Sequence, residues 1–407
     1  MTGPAAPDSP RRGRRPRINA ELRNEERVKP LELFFDLVFV LAFTQCTALM
    51  ANMPTWEGLA QGMLVLAVLW WAWVGYAWLT SVVDPEEGGV RIAMFAAMAG
   101  LLIVALCVPE AFGDRALPFA IAYGLVRAGQ IALFLIAGRG DSNLRHSIVG
   151  LGVSSAIGVG LLVGAAFVDG PVQYALWILA IVVDFGGPAF FGADGWKLVP
   201  AHFAERHNLI IILALGESIV AFSVGAEVAL SAEVYVAAVL GIGIAAALWW
   251  IYFDVVALVT ERRLVMAEEG RVRNELARDS YSFLHFPMVA GIVLTALGLE
   301  EALPHLDDPL HVESAFALFG GVAIYLLAHV AMRWRNAHTV SRTRLGAAVL
   351  LLVLWPVGTE MSALASLVVV NVVLWPMIAW EHAHYGDGRY RLRHGLEVDS
   401  PGPPSSA

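Results

Sequence analysis

Long runs of apolar residues, separated by short polar stretches, make up most of this chain. Between two polar ends lie twelve such runs, at about 31–51, 58–80, 91–112, 117–137, 145–168, 171–191, 208–228, 233–259, 280–300, 312–332, 343–359 and 361–380. At a rise of about 1.5 Å per residue, a helix of this length crosses the hydrocarbon layer of a bilayer, which is about 30 Å thick. Lipid-exposed backbone must be hydrogen-bonded within its own segment, so helices are expected. The pattern predicts an all-α polytopic membrane protein with about twelve transmembrane helices.

The composition agrees with this interpretation. Of the 407 residues, 58% are hydrophobic and 15% are charged, whereas soluble domains contain about 45–50% apolar and about 25% charged residues. A soluble enzyme, a collagen and a disordered chain are therefore excluded. The net charge of −9 is spread through the chain and predicts no nucleic-acid surface. Cys46 and Cys107 lie in apolar runs and predict neither a disulfide framework nor a zinc site, and we expect no metal or cofactor.

The basic residues predict how the chain is oriented. Residues 1–29 are polar, contain eight lysines and arginines among several prolines, and are expected to form a disordered basic tail near anionic lipid head groups. Residues 386–407 are interpreted as a second disordered tail. Together with alternate loops, the tails place 25 of the 27 lysines and arginines on one side of the bundle. The positive-inside rule then puts both termini in the cytoplasm.

The second half of the chain partly repeats the first. Four stretches match later ones in the same order: 42–43 with 221–222, 69–71 with 248–250, 99–111 with 290–302, and 119–124 with 316–321. Chance matching in a chain rich in Ala, Leu and Val is the alternative. A true duplication predicts two repeats of six helices, 30–191 and 192–385, inserted in the same orientation. Transporters of this kind have their site at the interface between the halves.

Several ionisable residues lie inside the predicted spans. Each costs about 2.5–3.5 kcal/mol at a helix centre on insertion scales, so each requires a reason. The candidate ion-binding residues are Asp36, Arg127, Asp184, Glu217, Asp254 and His285, with Glu32, Glu205, Arg206, Ser218 and His329 as supporting residues. Arg127 is expected to pair with Glu217 or Asp184. The remaining deep acids must then be protonated, hydrogen-bonded or bound to a cation, in a polar cavity open to the cytoplasm.

The same residues also have structural interpretations. Glu32 and Asp36 lie on one face near the start of the first helix, where acids favour the positive helix end. Asp254 lies near a cytoplasmic helix end, where its charge has the wrong sign for a cap. Glu217 lies between small residues that allow close helix packing. Two histidines can be satisfied interior groups, His285 and His329.

Four segments carry a resemblance to a known family: VKPLELFFDLVFVLAFTQ (28–45), HFAERHNLIIILALGESIV (202–220), WWIYFD (249–254) and FLHFPMVAGIVLTALG (283–298). Over about residues 28–385 the chain resembles the bacterial low temperature requirement protein A family. The resemblance implies a multipass protein of the bacterial inner membrane, linked by name to growth in the cold, and brings no reaction with it. The matching motif positions are Glu32, Phe34, Phe35, Asp36, His202, Glu205, Arg206, Gly216, Glu217, Ser218, Tyr252, Asp254, His285 and Gly291. The pair His207-Asn208 departs from the aromatic or small pair that the family pattern predicts.

Three functions are compatible with these features. The leading hypothesis is a transporter or channel-like permease with an acidic intramembrane site for a small cation or proton. The second is a membrane-embedded enzyme that modifies a lipid, with its nearest candidates in one predicted cytoplasmic loop: His202, Glu205, Arg206 and His207. The third is a non-catalytic membrane sensor or assembly factor. The lipid bilayer is the expected partner in all three, and the sequence indicates no oligomeric state.

Overall fold

The computed structural model describes residues 27–190, 195–224 and 231–393, and their side chains except at 222–224 and 385–393. Most of the two predicted tails, 1–29 and 386–407, lies outside these ranges. The regular structure of the described ranges is helical and is joined by short turns and loops, with isolated bridge residues at Val83 and in the antiparallel pair Pro309 and Ser362. The final helix continues to Arg393, well into the stretch interpreted as a tail.

Fourteen α-helices lie in the described ranges: α1 (Pro30–Asn52), α2 (Trp56–Val82), α3 (Gly88–Cys107), α4 (Ala116–Ala137), α5 (Ser142–Ala165), α6 (Pro171–Phe190), α7 (Pro200–Val224), α8 (Ala232–Ile251), α9 (Ala257–Met266), α10 (Arg271–Leu276), α11 (His285–Ala302), α12 (Val312–Ala337), α13 (Arg342–Gly358) and α14 (Ala363–Arg393). A π-helical turn, Tyr252–Val256, joins α8 to α9, and a second, Ala277–Phe283, joins α10 to α11. Each of these pairs therefore forms one long, locally widened helix.

Ten helical segments of the described chain are long and apolar enough to cross a membrane: Pro30–Asn52, Trp56–Val82, Gly88–Glu110, Ala116–Ala137, Ser142–Ala165, Pro171–Phe190, Ala232–Met266, Arg271–His305, Val312–Ala337 and Ala363–His384. This confirms the class, an all-α polytopic membrane protein. The other two predicted spans, 208–228 and 343–359, fall on α7 and α13. Because α13 has 17 residues and α7 reaches an undescribed segment after Val224, the count of twelve stays a prediction.

Several other helices also extend beyond the boundaries that hydropathy predicts. The predicted span 233–259 continues to Met266, and the span 280–300 lies within a helical segment that begins at Arg271. More important for function, α7 begins at Pro200, so the segment 202–207 is helical and its prediction as a loop was wrong. Charged and polar residues lowered the hydropathy of this first part of α7, although their side chains point into the protein.

The helix starts follow local rules. Thr55 caps α2 by accepting from the Gly58 amide, and Ser231 caps α8 by accepting from Val234. Asp141 caps α5 in the same way, with its carboxylate at 3.2 and 3.1 Å from the amides of residues 143 and 144. These caps hold the ends of helices whose long apolar faces pack in the bundle.

Two helices, α1 and α11, lie at the centre of the packing. Helix α1 contacts α2, α3, α7 and α11, whereas α11 contacts α7 and α12 most extensively. The α11–α12 contact depends on glycines, because a Cβ atom at Gly291 would lie 2.6 Å from the carbonyl oxygen of Gly321. This close approach places the start of α11 and its preceding π turn beside α7, where the polar residues are concentrated.

Candidate functional site

The most deeply buried group of charges joins α1 to α7. Arg206 on α7 donates from Nη1 to Glu32 Oε1 at 3.0 Å and from Nη2 to Asp36 Oδ1 at 2.6 Å. The two acids are four residues apart on α1, so they face the same neighbour. All three side chains are 0% exposed. Together with His202 and their partners on α2, they are called the Arg206 cluster below.

Helix α2 completes the cluster with neutral donors and acceptors. Trp73 donates from its indole nitrogen to Asp36 Oδ1 at 2.8 Å, and Arg206 Nη1 donates to Thr80 Oγ1 at 3.0 Å. The second carboxylate oxygen of Asp36 has no hydrogen-bond partner in the described part of the chain. Asp36 is therefore held on one oxygen and free to take a proton or a water molecule on the other.

His202 couples a titratable imidazole to Glu32. Its Nε2 lies 2.9 and 3.2 Å from the two carboxylate oxygens of Glu32, and its Nδ1 lies 3.1 Å from Ser81 Oγ. A neutral imidazole has one ring nitrogen that donates and one that accepts, so the tautomer protonated on Nε2 donates to Glu32 and can accept from Ser81 on Nδ1. The Arg206 cluster thus places a histidine, the type of side chain that gains and loses a proton most readily near neutral pH, in contact with a buried carboxyl group.

Glu32 also has a structural role. Its Oε2 accepts from the backbone amide of Lys29 at 2.9 Å, at the start of α1. The capping interpretation is therefore confirmed for Glu32. The described bonds of Asp36 go instead to side chains of α2 and α7, which hydropathy did not place beside it.

A second buried ion pair lies within the first half of the chain. Arg127 on α4 donates from Nη2 to Asp184 Oδ1 on α6 at 3.0 Å, so Asp184 rather than Glu217 is its counter-ion. Arg127 also donates to Ser155 and, at 2.7 Å, to Gln130 Oε1. These residues, with Tyr123, are called the Arg127 cluster below.

Both carboxylate oxygens of Asp184 have partners. Ser155 donates to Oδ1 at 2.7 Å, and Tyr123 donates to Oδ2 at 3.2 Å. The pair is thus surrounded by neutral groups that hold the carboxyl group in one position.

His285 belongs to a third polar group, at the junction of the two π turns. Its Nδ1 donates to the carbonyl of Ser280 at 2.8 Å, and its Nε2 lies 2.8 Å from the hydroxyl of Tyr252. The same hydroxyl lies 2.8 Å from the side-chain amide of Asn208 on α7. Since π turns occur frequently at functional sites, their convergence on a histidine and a tyrosine supports a role beyond packing.

His207 lies between the Arg206 cluster and His285. Its Nδ1 donates to the Phe203 carbonyl at 2.8 Å, which leaves Nε2 as an acceptor without a partner among the described residues. Its ring centroid is 4.8 Å from that of Trp73 and 5.2 Å from that of His285. His207 is therefore the physical link between the two groups, at a position where the sequence departs from the family pattern.

The other predicted residues lie apart from these contacts. Glu217 is buried and accepts from Thr44 Oγ1 at 2.6 Å, next to the buried Ser218, and Glu205 accepts from the Val28 amide at 3.0 Å. Asp254 is buried on the first π turn. His329 donates from Nδ1 to the Tyr325 carbonyl at 2.9 Å, one turn back on its own helix.

Three of the predicted acids thus have separate partners. Asp36 pairs with Arg206, Asp184 pairs with Arg127, and Glu217 has a threonine donor. This differs from the expected pocket of several unpaired acids, because Arg206 was placed in a loop and Asp36 was left without its partner. The spacing of His202 and Arg206, four residues apart, was the signal that could have placed both on one inward helix face.

Comparison with known proteins agrees with the resemblance in the sequence. The sequence model of the family described as bacterial low temperature requirement A protein (LtrA) matches residues 27–379, a range that contains all the clusters above. A protein of Rhizobium meliloti (strain 1021), described as uncharacterized, is 27% identical over 376 residues, which cover 86% of this chain and 89% of that protein. No solved structure matches the chain.

Proposed function

We propose that this chain, which belongs to the bacterial low temperature requirement A protein (LtrA) family, is a multipass permease of the bacterial inner membrane that moves protons, alone or together with a solute, through buried groups between its two halves. The observation that carries the proposal is the Arg206 cluster. It gathers two carboxylates, a guanidinium and an imidazole, all 0% exposed, among apolar helices.

Stability alone does not account for this cluster. Removing charges from water costs several kcal/mol per ion, and well-packed apolar residues in place of a buried ion pair are often neutral or stabilising by about 1–4 kcal/mol. Ionisable residues kept inside a membrane protein commonly mark ion or proton pathways. The contact between His202 and Glu32 is the starting point of the pathway that we propose.

The groups beyond the cluster extend the pathway. From Asp36 it passes to His207, whose ring packs against Trp73, and then to His285, whose Nε2 lies 2.8 Å from the hydroxyl of Tyr252. Three polar atoms along it lack partners in the described chain: Asp36 Oδ2, His207 Nε2 and Tyr281 Oη. We infer that water molecules or small rotations of these side chains complete the proton path.

The helix contacts support a 6+6 repeat, with halves 30–191 and 192–385. In the first half α1 packs on α2 and α3, α3 on α4, α4 on α5, and α5 on α6. In the second half α7 packs on α8 and α11, α11 on α12, α12 on α13, and α13 on α14, while α2–α6 and α8–α14 are equivalent contacts. The proposal therefore keeps twelve spans, with both termini in the cytoplasm as the basic residues predict. The Arg206 cluster then lies where the halves meet, the usual position of a transport site.

Proton movement in proteoliposomes tests this function. Purified protein is reconstituted around a pH-sensitive dye, a potassium–valinomycin voltage is imposed, and internal pH is followed with and without a panel of small metabolites. Wild-type protein is expected to acidify the lumen, and His202→Gln is expected to lose most of this activity. The matched control is His146→Gln, the same change at an exposed position of α5. An inactive wild type under every condition, or a fully active His202→Gln, would contradict the proposal.

The enzyme hypothesis receives less support from the same residues. A reaction on lipid head groups requires an accessible catalytic group, but His202, Arg206 and His207 are all 0% exposed. The described bonds of His202 and Arg206 go to Glu32, Asp36 and α2, so these side chains are not presented to the membrane surface.

A further inference from the structure

A small cavity lies beside the Arg127 cluster, away from the proposed proton path. Its volume is about 50 Å³, and it lies between α2, α4 and the second π turn. Tryptophans form much of its wall, and two arginines contribute to the lining: Trp71, Trp78, Trp196, Arg127 and Arg278. None of the described residues that line it is acidic.

Three buried N–H groups on the lining side chains have no hydrogen-bond acceptor in the described chain: Trp71 Nε1, Arg127 Nε and Gln130 Nε2. The three residues are 4%, 1% and 0% exposed. A buried donor without an acceptor is destabilising, and more so when the donor is charged. An acceptor held in this cavity would satisfy all three donors.

The donors are held in place by their neighbours. Arg127 donates to Gln130 Oε1 at 2.7 Å, which fixes the amide so that its NH₂ group remains the donor. Gly75 makes room for this amide, because a Cβ atom there would lie 2.2 Å from Gln130 Nε2. The ring of Trp71 stacks on Phe185 with centroids 4.3 Å apart. The site is thus preorganised.

The charge around the cavity favours an anion. Arg278, with 18% of its side chain exposed, lies in the lining and pairs with Asp279, which also accepts from Arg335. Two guanidinium groups therefore share one carboxylate at this end of the bundle. The pair of Arg127 and Asp184 contributes no net charge, so the described charges around the cavity sum to a positive value.

We propose that this cavity is a binding site for a small carboxylate anion, held by Trp71, Arg127 and Gln130. A water molecule requires about 10–15 Å³ by the same measure of volume, so the cavity has room for only a few non-hydrogen atoms. A carboxylate supplies two acceptor oxygens for the three donors, and its short apolar part suits the tryptophan walls. The site is independent of the proposed proton movement, since ligand binding requires no transport.

Calorimetric titration of the purified full-length protein in detergent at pH 7 tests the site with acetate as the probe. Acetamide, the neutral isostere, and methylammonium, a cation of similar size, are the controls. Acetate is expected to bind at least about tenfold more tightly than acetamide, as a charged acceptor forms stronger hydrogen bonds. No saturable acetate binding, or equal binding of acetate and acetamide, would overturn the proposal and leave a cavity for water only.

Three variants locate the binding. Trp71→Phe removes one donor and keeps the stacked ring, so acetate affinity is expected to fall about tenfold. Gln130→Glu keeps the acceptor for Arg127 but puts a carboxylate in the cavity, so a loss of about a hundredfold is expected. Trp250→Phe is the matched control, because its indole nitrogen is also buried and unpartnered but lies outside this lining.

The variants also separate a lost site from a lost fold. Thermal unfolding of each variant by circular dichroism shows whether the helical bundle persists. If Trp71→Phe and Gln130→Glu unfold like the wild type and still bind acetate at full affinity, the assignment is wrong. The assignment is also wrong if Trp250→Phe loses as much acetate affinity as Trp71→Phe.

Discussion

The Arg206 and Arg127 clusters each bury an arginine against an acid, yet their surroundings differ. In the Arg127 cluster, Asp184 is bonded on both oxygens by neutral and charged donors that all come from the first half of the chain. In the Arg206 cluster, two acids share one guanidinium, one acid also contacts a histidine, and Asp36 keeps an oxygen without a partner. An acid that is bonded on both oxygens holds helices in place, whereas an acid with one oxygen unbonded, next to a group that contains a histidine, is the arrangement suited to proton exchange.

The largest expected effect comes from removing the shared cation. Arg206→Met leaves two acids buried without their guanidinium and is expected to destabilise the protein by about 3–5 kcal/mol. Arg127→Met is expected to cost less, because Asp184 keeps the hydroxyls of Ser155 and Tyr123. Unfolding in mixed micelles measures both. Equal losses of stability in Arg206→Met and Arg127→Met would contradict the proposed difference between the clusters. If the double variant Arg206→Met/Asp36→Asn is more stable than Arg206→Met, the unpaired acid causes the loss.

A smaller effect is expected from a single neutral donor. Ser155→Ala removes one hydrogen bond to Asp184 and is expected to lower the free energy of unfolding by about 1.5 kcal/mol. This is the lower end of the range for hydrogen bonds to charged groups, and it exceeds the typical value for a hydrogen bond between membrane helices. Proton movement in proteoliposomes should not change, because the Arg127 cluster lies outside the proposed path. A variant of normal stability that has lost proton movement would show that the two clusters act together.

Tyr252→Phe tests the far end of the path. It removes the hydroxyl that contacts His285 and Asn208, and a loss of about 0.6 kcal/mol is expected, the typical value for a bond between membrane helices. Proton movement in proteoliposomes is nevertheless expected to fall more in Tyr252→Phe than in Ser155→Ala, although Tyr252→Phe loses less stability. The reverse order in the proteoliposome assay would contradict the role given to His285.

The smallest change in stability is expected at Asp141, which lies outside the membrane-spanning segments. It serves as a reference for the variants in the two buried clusters. Bonds from the backbone amide of Leu144, and the nearby Lys197, lower the pKa of the exposed Asp141 carboxyl. Because the pKa of Asp141 is lower in the folded than in the unfolded protein, its ionised carboxylate stabilises the fold. This stabilisation is complete above the pKa of the unfolded state and is lost as the pH falls through the pKa of the folded state. Asp141→Asn keeps a capping oxygen but loses the charge, so it should be slightly less stable at neutral pH and lose less stability on acidification. Asp141→Ala loses the cap as well, so it should be less stable than Asp141→Asn at both acid and neutral pH. Thermal unfolding between acid and neutral pH distinguishes the two.

Hydropathy predicted the class of fold well because it reports on length and apolar character, and both are local. It placed α1 to α6 close to their observed positions. It began α7 too late because His202, Glu205, Arg206 and His207 resemble a cytoplasmic loop in a hydropathy window. It also identified four buried acids, Asp36, Asp184, Glu217 and Asp254, because a charged residue in an apolar run can be recognised without knowing its partner. It missed the buried Glu381, which lies just beyond the last predicted run.

Pairing was the part that local patterns left open. Asp36 and Arg206 are 170 positions apart, and Arg127 and Asp184 are 57 apart, so nothing near either acid indicates its partner. Trp73, Thr80 and Ser155 were missed for the same reason. Their role depends on a charged side chain of a neighbouring helix, which the sequence around them does not reveal.

The amino-acid sequence alone determined that this protein is a bundle of membrane helices with ionisable groups inside it, because apolar length and helix caps act through neighbouring residues. Only the tertiary structure decided that Asp36 meets Arg206, that Asp184 meets Arg127, and that three unpartnered donors line one cavity. Those contacts depend on which helix faces pack together, and helix packing is a property of the whole bundle.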